Sequence, residues 1–112
     1  NLEAELLFDP VLFGSDQLFA LKVKGDSMTG VHILDGDLAV IRPQEEAEDG
    51  QIVAVLIEGL EPEATLKVLR RKKGRIELQA ANEAYQPLVF EGKDLGRVTI
   101  LGRLVGVIRT GR

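Results

Sequence analysis

Apolar residues recur at about every second position through most of this chain, the spacing that lines one face of a β-strand. Leu18 to Lys24, Leu38 to Arg42, Gln51 to Glu58, Thr65 to Arg70, Arg75 to Gln79 and Val98 to Arg109 each read as strands. Turn chemistry separates them: Asp35-Gly36-Asp37, Asp49-Gly50, Gly59 through Pro62, Lys73-Gly74 and Asn82. Helical structure fits only two short stretches, Asp9 to Phe13 and the residues just after Ser27. No internal repeat or low-complexity segment interrupts the pattern. The expected fold class is mostly β, a compact many-stranded domain with short helical turns, in which strand ends and turns present the chemistry.

Composition narrows the picture. The 112 residues have room for one domain, spanning 1–112, and 45% hydrophobic content is enough for a core. With no cysteine, disulfides and thiolate metal sites are excluded, and the single histidine, His32, cannot build a His-rich site. No metal or cofactor is expected. No apolar run approaches the ~20 residues of a membrane-spanning helix, and the start does not resemble a signal peptide. A cytoplasmic protein without membrane contact is the expectation. The net charge of −4 argues against a grip on a phosphate backbone. The basic cluster Arg70, Arg71, Lys72, Lys73 and Arg75 reads as a solvated hairpin tip. Because the chain opens on Asn1 and not on methionine, it is expected to be a piece of something longer.

The segment Val23 to Val40 is the most informative. A strand runs into Gly25, then Asp26-Ser27-Met28, then a short excursion and Asp35-Gly36-Asp37 before the next strand. A serine just after a strand end can expose its hydroxyl on a tight turn whose backbone N–H groups face an incoming carbonyl. It can equally cap the turn that follows it. Both readings stand at this point.

A serine hydroxyl needs a base. His32 is only five residues on, in the same excursion, and no carboxylate is spaced to orient it as a triad requires; it reads as a surface or half-buried structural histidine. Lys67 sits in Ala64-Thr65-Leu66-Lys67-Val68-Leu69, flanked by apolar side chains. A free lysine is charged at neutral pH, but burial without a counter-charge disfavours the ammonium, and a neutral amine can take a serine proton. The alternative is an amphipathic strand on which Lys67 points to solvent, with Thr65 and Leu69 on its face.

Gly25-Asp26-Ser27-Met28 followed by Leu34-Asp35-Gly36-Asp37-Leu38 resembles the serine motif of the LexA and UmuD family of self-cleaving peptidases. Gly50-Gln51-Ile52-Val53-Ala54-Val55 followed by Thr65-Leu66-Lys67-Val68-Leu69 resembles that family's lysine motif. The likeness extends to Phe8 through Phe13, to Ile76-Glu77-Leu78 with Asn82 and Tyr85 through Leu88, and to Gly102 through Arg109. Each motif alone is only moderately specific; the ordered set is strong. One departure is Glu58 to Ala64, a few residues longer than the family pattern, with Pro62 added.

The resemblance implies a LexA- and signal-peptidase-like β fold, with Ser27 as nucleophile and Lys67 as general base. It implies an oxyanion site made by the backbone N–H groups of Asp26 and Ser27. In such repressors of DNA-damage (SOS) genes, a loop ahead of the domain enters the cleft and is cut at an Ala–Gly bond. RecA filaments on single-stranded DNA stimulate this cleavage. It separates an N-terminal helix-turn-helix domain, which binds operator DNA, from the domain that holds the homodimer together. No Ala-Gly dipeptide occurs in the 112 residues, so the cut bond is expected a few residues before Asn1. The alternatives are a UmuD-like polymerase accessory protein, a signal-peptidase-like enzyme with a membrane anchor, and a dimerisation module with a dead site. The last requires loss of Ser27 or Lys67, and both are present. The terminal strand, with Val105, Val107, Ile108 and Arg109, is either an exposed edge that pairs with a second copy or an interior strand.

Overall fold

The computed structural model describes residues 4–7, by their backbone, and 18–110. Eight strands form one antiparallel sheet: β1 (Ala4–Leu7), β2 (Phe19–Val23), β3 (Leu38–Pro43), β4 (Ile52–Ile57), β5 (Glu63–Lys72), β6 (Arg75–Gln79), β7 (Leu88–Glu91) and β8 (Val98–Ile108). Their spatial order is β1-β2-β3-β8-β4-β5-β6-β7, so the last strand of the chain enters the middle of the sheet between β3 and β4. Two 3₁₀ turns, Thr29–Val31 and Gly92–Arg97, are the helical elements among the described residues. The first lies just after Ser27, as expected. The helical stretch expected over Asp9 to Phe13 lies outside the described residues, as does the Phe8–Phe13 motif.

The mostly-β expectation holds, with six strands near their expected positions and two not anticipated. β1 and β7 are four residues each, and in β7 only Phe90 is buried, so neither carries an alternating signal. The basic cluster straddles the β5–β6 hairpin: Arg70, Arg71 and Lys72 end β5, Lys73-Gly74 turns, and Arg75 opens β6.

Two apolar clusters lie on opposite faces of the sheet's centre. Ala54 on β4 packs with Leu21, Val23, Met28, Ile33, Ile41 and Leu66, while its neighbours Val53 and Val55 pack with Leu69, Leu78 and Phe90. Strand β4 is therefore buried on both faces, which explains its continuous apolar run. Strand β8 serves both clusters by slipping register twice, past Leu101 against β4 and past Val105 against β3. Each slip shifts which residues face which core, and bends the strand. Gly102 lies between them, where an added Cβ would sit 2.6 Å from Ile41 Cγ2 and 2.9 Å from the Arg42 carbonyl carbon. Only a glycine lets β3 and β8 approach this closely.

Candidate active site

The turn that carries Ser27 follows from its local sequence. β2 ends at Val23, and Gly25 adopts φ 88°, a left-handed conformation that favours glycine. The Gly25 N–H donates to Asp35 Oδ1 at 2.7 Å, tying the start of the excursion to its end. Val23 N–H donates to the Asp37 carbonyl and Gly36 N–H to the Val23 carbonyl, each at 2.8 Å. Between these clasps, Met28 and Ile33 sink into the first apolar cluster and pull Ser27 inward to 7% exposure. Met28, not Ser27, is the N-cap of the 3₁₀ turn, and no side-chain capping bond forms there.

Lys67 arrives from the other side of the sheet's curl. On β5 it pairs across from Val53 and shares a face with Thr65 and Leu69. That face is buried: Thr65 is 1% and Lys67 5% exposed, so the outward-facing alternative fails. The Lys67 amine donates to Thr65 Oγ1 at 2.6 Å and to the Leu66 carbonyl at 3.1 Å, and it lies 3.4 Å from Ser27 Oγ. All three of these oxygens are uncharged. A primary amine and a hydroxyl, both withdrawn from water and within reach of each other, form a pair suited to proton transfer.

His32 stands apart. It is exposed, sits at φ 64° as the C-cap of the 3₁₀ turn, and its carbonyl accepts from Arg109 Nη2 at 2.8 Å. Arg109, placed by sequence at a pairing strand, lies just past β8, where Nε and Nη2 each donate to Asp37 at 2.7 Å. Asp37 is 2% exposed. The Arg109 hydrogen bonds, helped by the Leu34 N–H and opposed by burial, hold its carboxyl below the ordinary value of 3.8. This clamp ties the end of β8 to the serine excursion, and 72 residues of separation left no local signal for it.

A second brace comes from the segment after β6. Asn82 Nδ2 donates to the Asp26 carbonyl at 2.8 Å, the Tyr85 hydroxyl donates to the Asp26 carboxylate, and Gly30 N–H donates to the Ala81 carbonyl at 2.6 Å. Sequence marked Asn82 as a turn residue and both Asn82 and Tyr85 as part of a resemblance. Nothing in their spacing told that they hold the serine turn.

Ser27 and Lys67 thus lie buried and within reach of each other beside a strand-end turn of an antiparallel sheet. The chain belongs to the Peptidase S24-like family, whose model matches residues 1–105. It is similar to the LexA repressor of Geobacter metallireducens, 44% identical over 98% of this chain and 52% of that protein. The LexA repressor of Gluconobacter oxydans is 49% identical over 88% of this chain and 39% of its own length, and that of Moorella thermoacetica 44% over 97% and 49%. The chain thus spans about half the length, or less, of these curated relatives.

Proposed function

We propose that this chain is the self-cleaving serine peptidase domain of a LexA-type repressor, with Ser27 as nucleophile and Lys67 as general base. The observation that carries the reading is the 3.4 Å approach of Lys67 Nζ to Ser27 Oγ in a buried setting. Thr65 Oγ1 and the Leu66 carbonyl also accept from the Lys67 amine, and these contacts hold it beside Ser27.

Lys67 takes the hydroxyl proton as Ser27 Oγ bonds to the carbonyl carbon of the scissile peptide. The carbonyl oxygen becomes an oxyanion facing the N–H groups of Asp26 and Ser27. The lysine ammonium then gives its proton to the departing amine as the C–N bond breaks, leaving an ester on Ser27. Water attacks the ester with Lys67 again as base, releasing the acid. The substrate is an Ala–Gly bond in a loop that precedes the domain. Its cleavage severs the DNA-binding domain and relieves repression of DNA-damage genes. RecA filaments on single-stranded DNA favour the loop's docked state. The repressor acts in the bacterial cytoplasm, and among the described residues no helix is long and apolar enough to cross a membrane. The relatives named above carry the LexA name, which favours this reading over a UmuD-like one.

The same domain holds a homodimer. From Leu104 onward β8 pairs with β3 alone among the described strands, and Val105 and Val107 are 38% and 39% exposed. A half-open strand edge beside exposed valines suits antiparallel pairing with a second copy about a two-fold axis.

The test is cleavage in trans. This chain is mixed with a separate polypeptide carrying the Ala–Gly loop, and hydrolysis is followed against pH. The rate rises with pH, and Ser27→Ala or Lys67→Ala abolishes it. Cleavage that persists in Lys67→Ala removes lysine from the base role.

A further inference from the structure

We infer that Asn82 is a positioning residue for catalysis: its side-chain amide fixes the peptide plane between Asp26 and Ser27, and thereby the direction of the Ser27 N–H. The inference rests on the Ser27–Lys67 reading and adds to it a residue from a segment more than fifty positions away in the chain.

The argument starts from the planar peptide group. In a trans peptide the C=O of one residue and the N–H of the next lie in one plane and point in opposite directions. Whatever holds the Asp26 carbonyl therefore aims the Ser27 N–H. Three donors converge on that carbonyl: Asn82 Nδ2 at 2.8 Å, Thr29 Oγ1 at 3.1 Å and Thr29 N–H at 3.3 Å. The Thr29 donors belong to the same excursion and move with it. Asn82 is anchored outside it, and has the shortest of the three contacts.

The Asn82 side chain is itself fixed. Its Oδ1 accepts the Ala84 N–H at 2.9 Å, so its amide nitrogen must be the atom that faces Asp26. The Tyr85 N–H closes the turn on the Asn82 carbonyl at 3.1 Å, and Gly30 N–H on the Ala81 carbonyl sets the distance between the two segments. An oxyanion donor works because it is already oriented before charge develops. A turn on the surface, free to rotate its peptide planes, lacks that property, and the Ala81–Tyr85 segment supplies it.

The test is the trans-cleavage assay with this chain, reading the maximal rate, the substrate concentration at half-maximal rate and the pH profile. Asn82→Asp keeps the acceptor for Ala84 N–H and sets an oxygen against the Asp26 carbonyl. Asn82→Ala removes the donor without that repulsion. Removing a single oxyanion donor costs about 10²–10³-fold; misaiming one should cost about 10- to 100-fold in maximal rate. In Asn82→Ala the midpoint of the pH profile stays in place, because that substitution adds no charge. Tyr85→Phe releases the Asp26 carboxylate but not its carbonyl, and should lose less than a tenth as much. A wild-type maximal rate or a displaced pH midpoint in Asn82→Ala, or an equal loss in Tyr85→Phe, overturns the inference and leaves the Ser27–Lys67 reading standing. Cleavage by Ser27→Ala, or none by the wild-type chain, overturns both.

Discussion

Replacing Thr65 by valine tests how the lysine amine is held. The two side chains are alike in shape, so the buried site keeps its packing and loses one oxygen. That oxygen accepts from Lys67 Nζ at 2.6 Å, closer than the Leu66 carbonyl or Ser27 Oγ. Leaving a buried donor unsatisfied costs about 1–3 kcal/mol. Falling wholly on the amine's alignment with Ser27, this slows cleavage by about 5- to 150-fold. Folding stability should fall by up to about 1–3 kcal/mol as well, because the unsatisfied donor stays buried in the folded chain. Single-turnover cleavage in trans measures the first quantity and urea unfolding the second. Thr65→Ser restores the acceptor and most of the rate. Wild-type cleavage by Thr65→Val across the pH range would refute the idea that this hydroxyl aims the amine.

The Asp37–Arg109 clamp predicts an acid limb in stability. Because the folded carboxyl titrates below 3.8, its contribution is complete above that value and is lost as pH falls through the folded value; Asp37→Asn should be weaker at neutral pH and show a flatter loss in urea unfolding between about pH 5 and pH 2. Gly102→Ala forces β8 off β3 and should lower stability by about 1–3 kcal/mol, read as a shifted urea midpoint; an unchanged midpoint means the strands part without cost. His32→Gly relieves a left-handed non-glycine residue and should gain about 0.5–1 kcal/mol while cleavage continues. Loss of cleavage there would return His32 to the chemistry. Val107→Glu places a charge on the half-open edge of β8 and should give a monomer by mass in solution; an unchanged dimer sinks that interface.

Much of the site was legible because its parts are local. Gly25 before Ser27 and Asp35-Gly36-Asp37 after it form a turn from short-range chemistry, and an apolar-flanked Lys67 is visible in five residues. The period of two in Phe19–Val23 and in β6 likewise reports a strand directly, since Phe19, Leu21 and Val23 line one apolar cluster and Ile76 and Leu78 the other. Residues alone left both key side chains with two readings, and the resemblance favoured one for each.

Local residue pattern is enough to mark the turns, most strands, and Ser27 and Lys67. The folded sheet decides how close those two come. Ser27 and Lys67 are 40 residues apart, and their separation depends on how the sheet curls, which no local preference encodes. It also decided the fate of the terminal strand. The run from Val98 to Ile108 reads as one strand, yet among the described strands residues 98–100 pair with β4 alone, Gly102 and Arg103 with both neighbours, and residues 104–108 with β3 alone. Asp37 with Arg109, and Asn82 with Asp26, are long-range partners for the same reason: a hydrogen bond is set by distance in space, and only the closed sheet brings those atoms within reach.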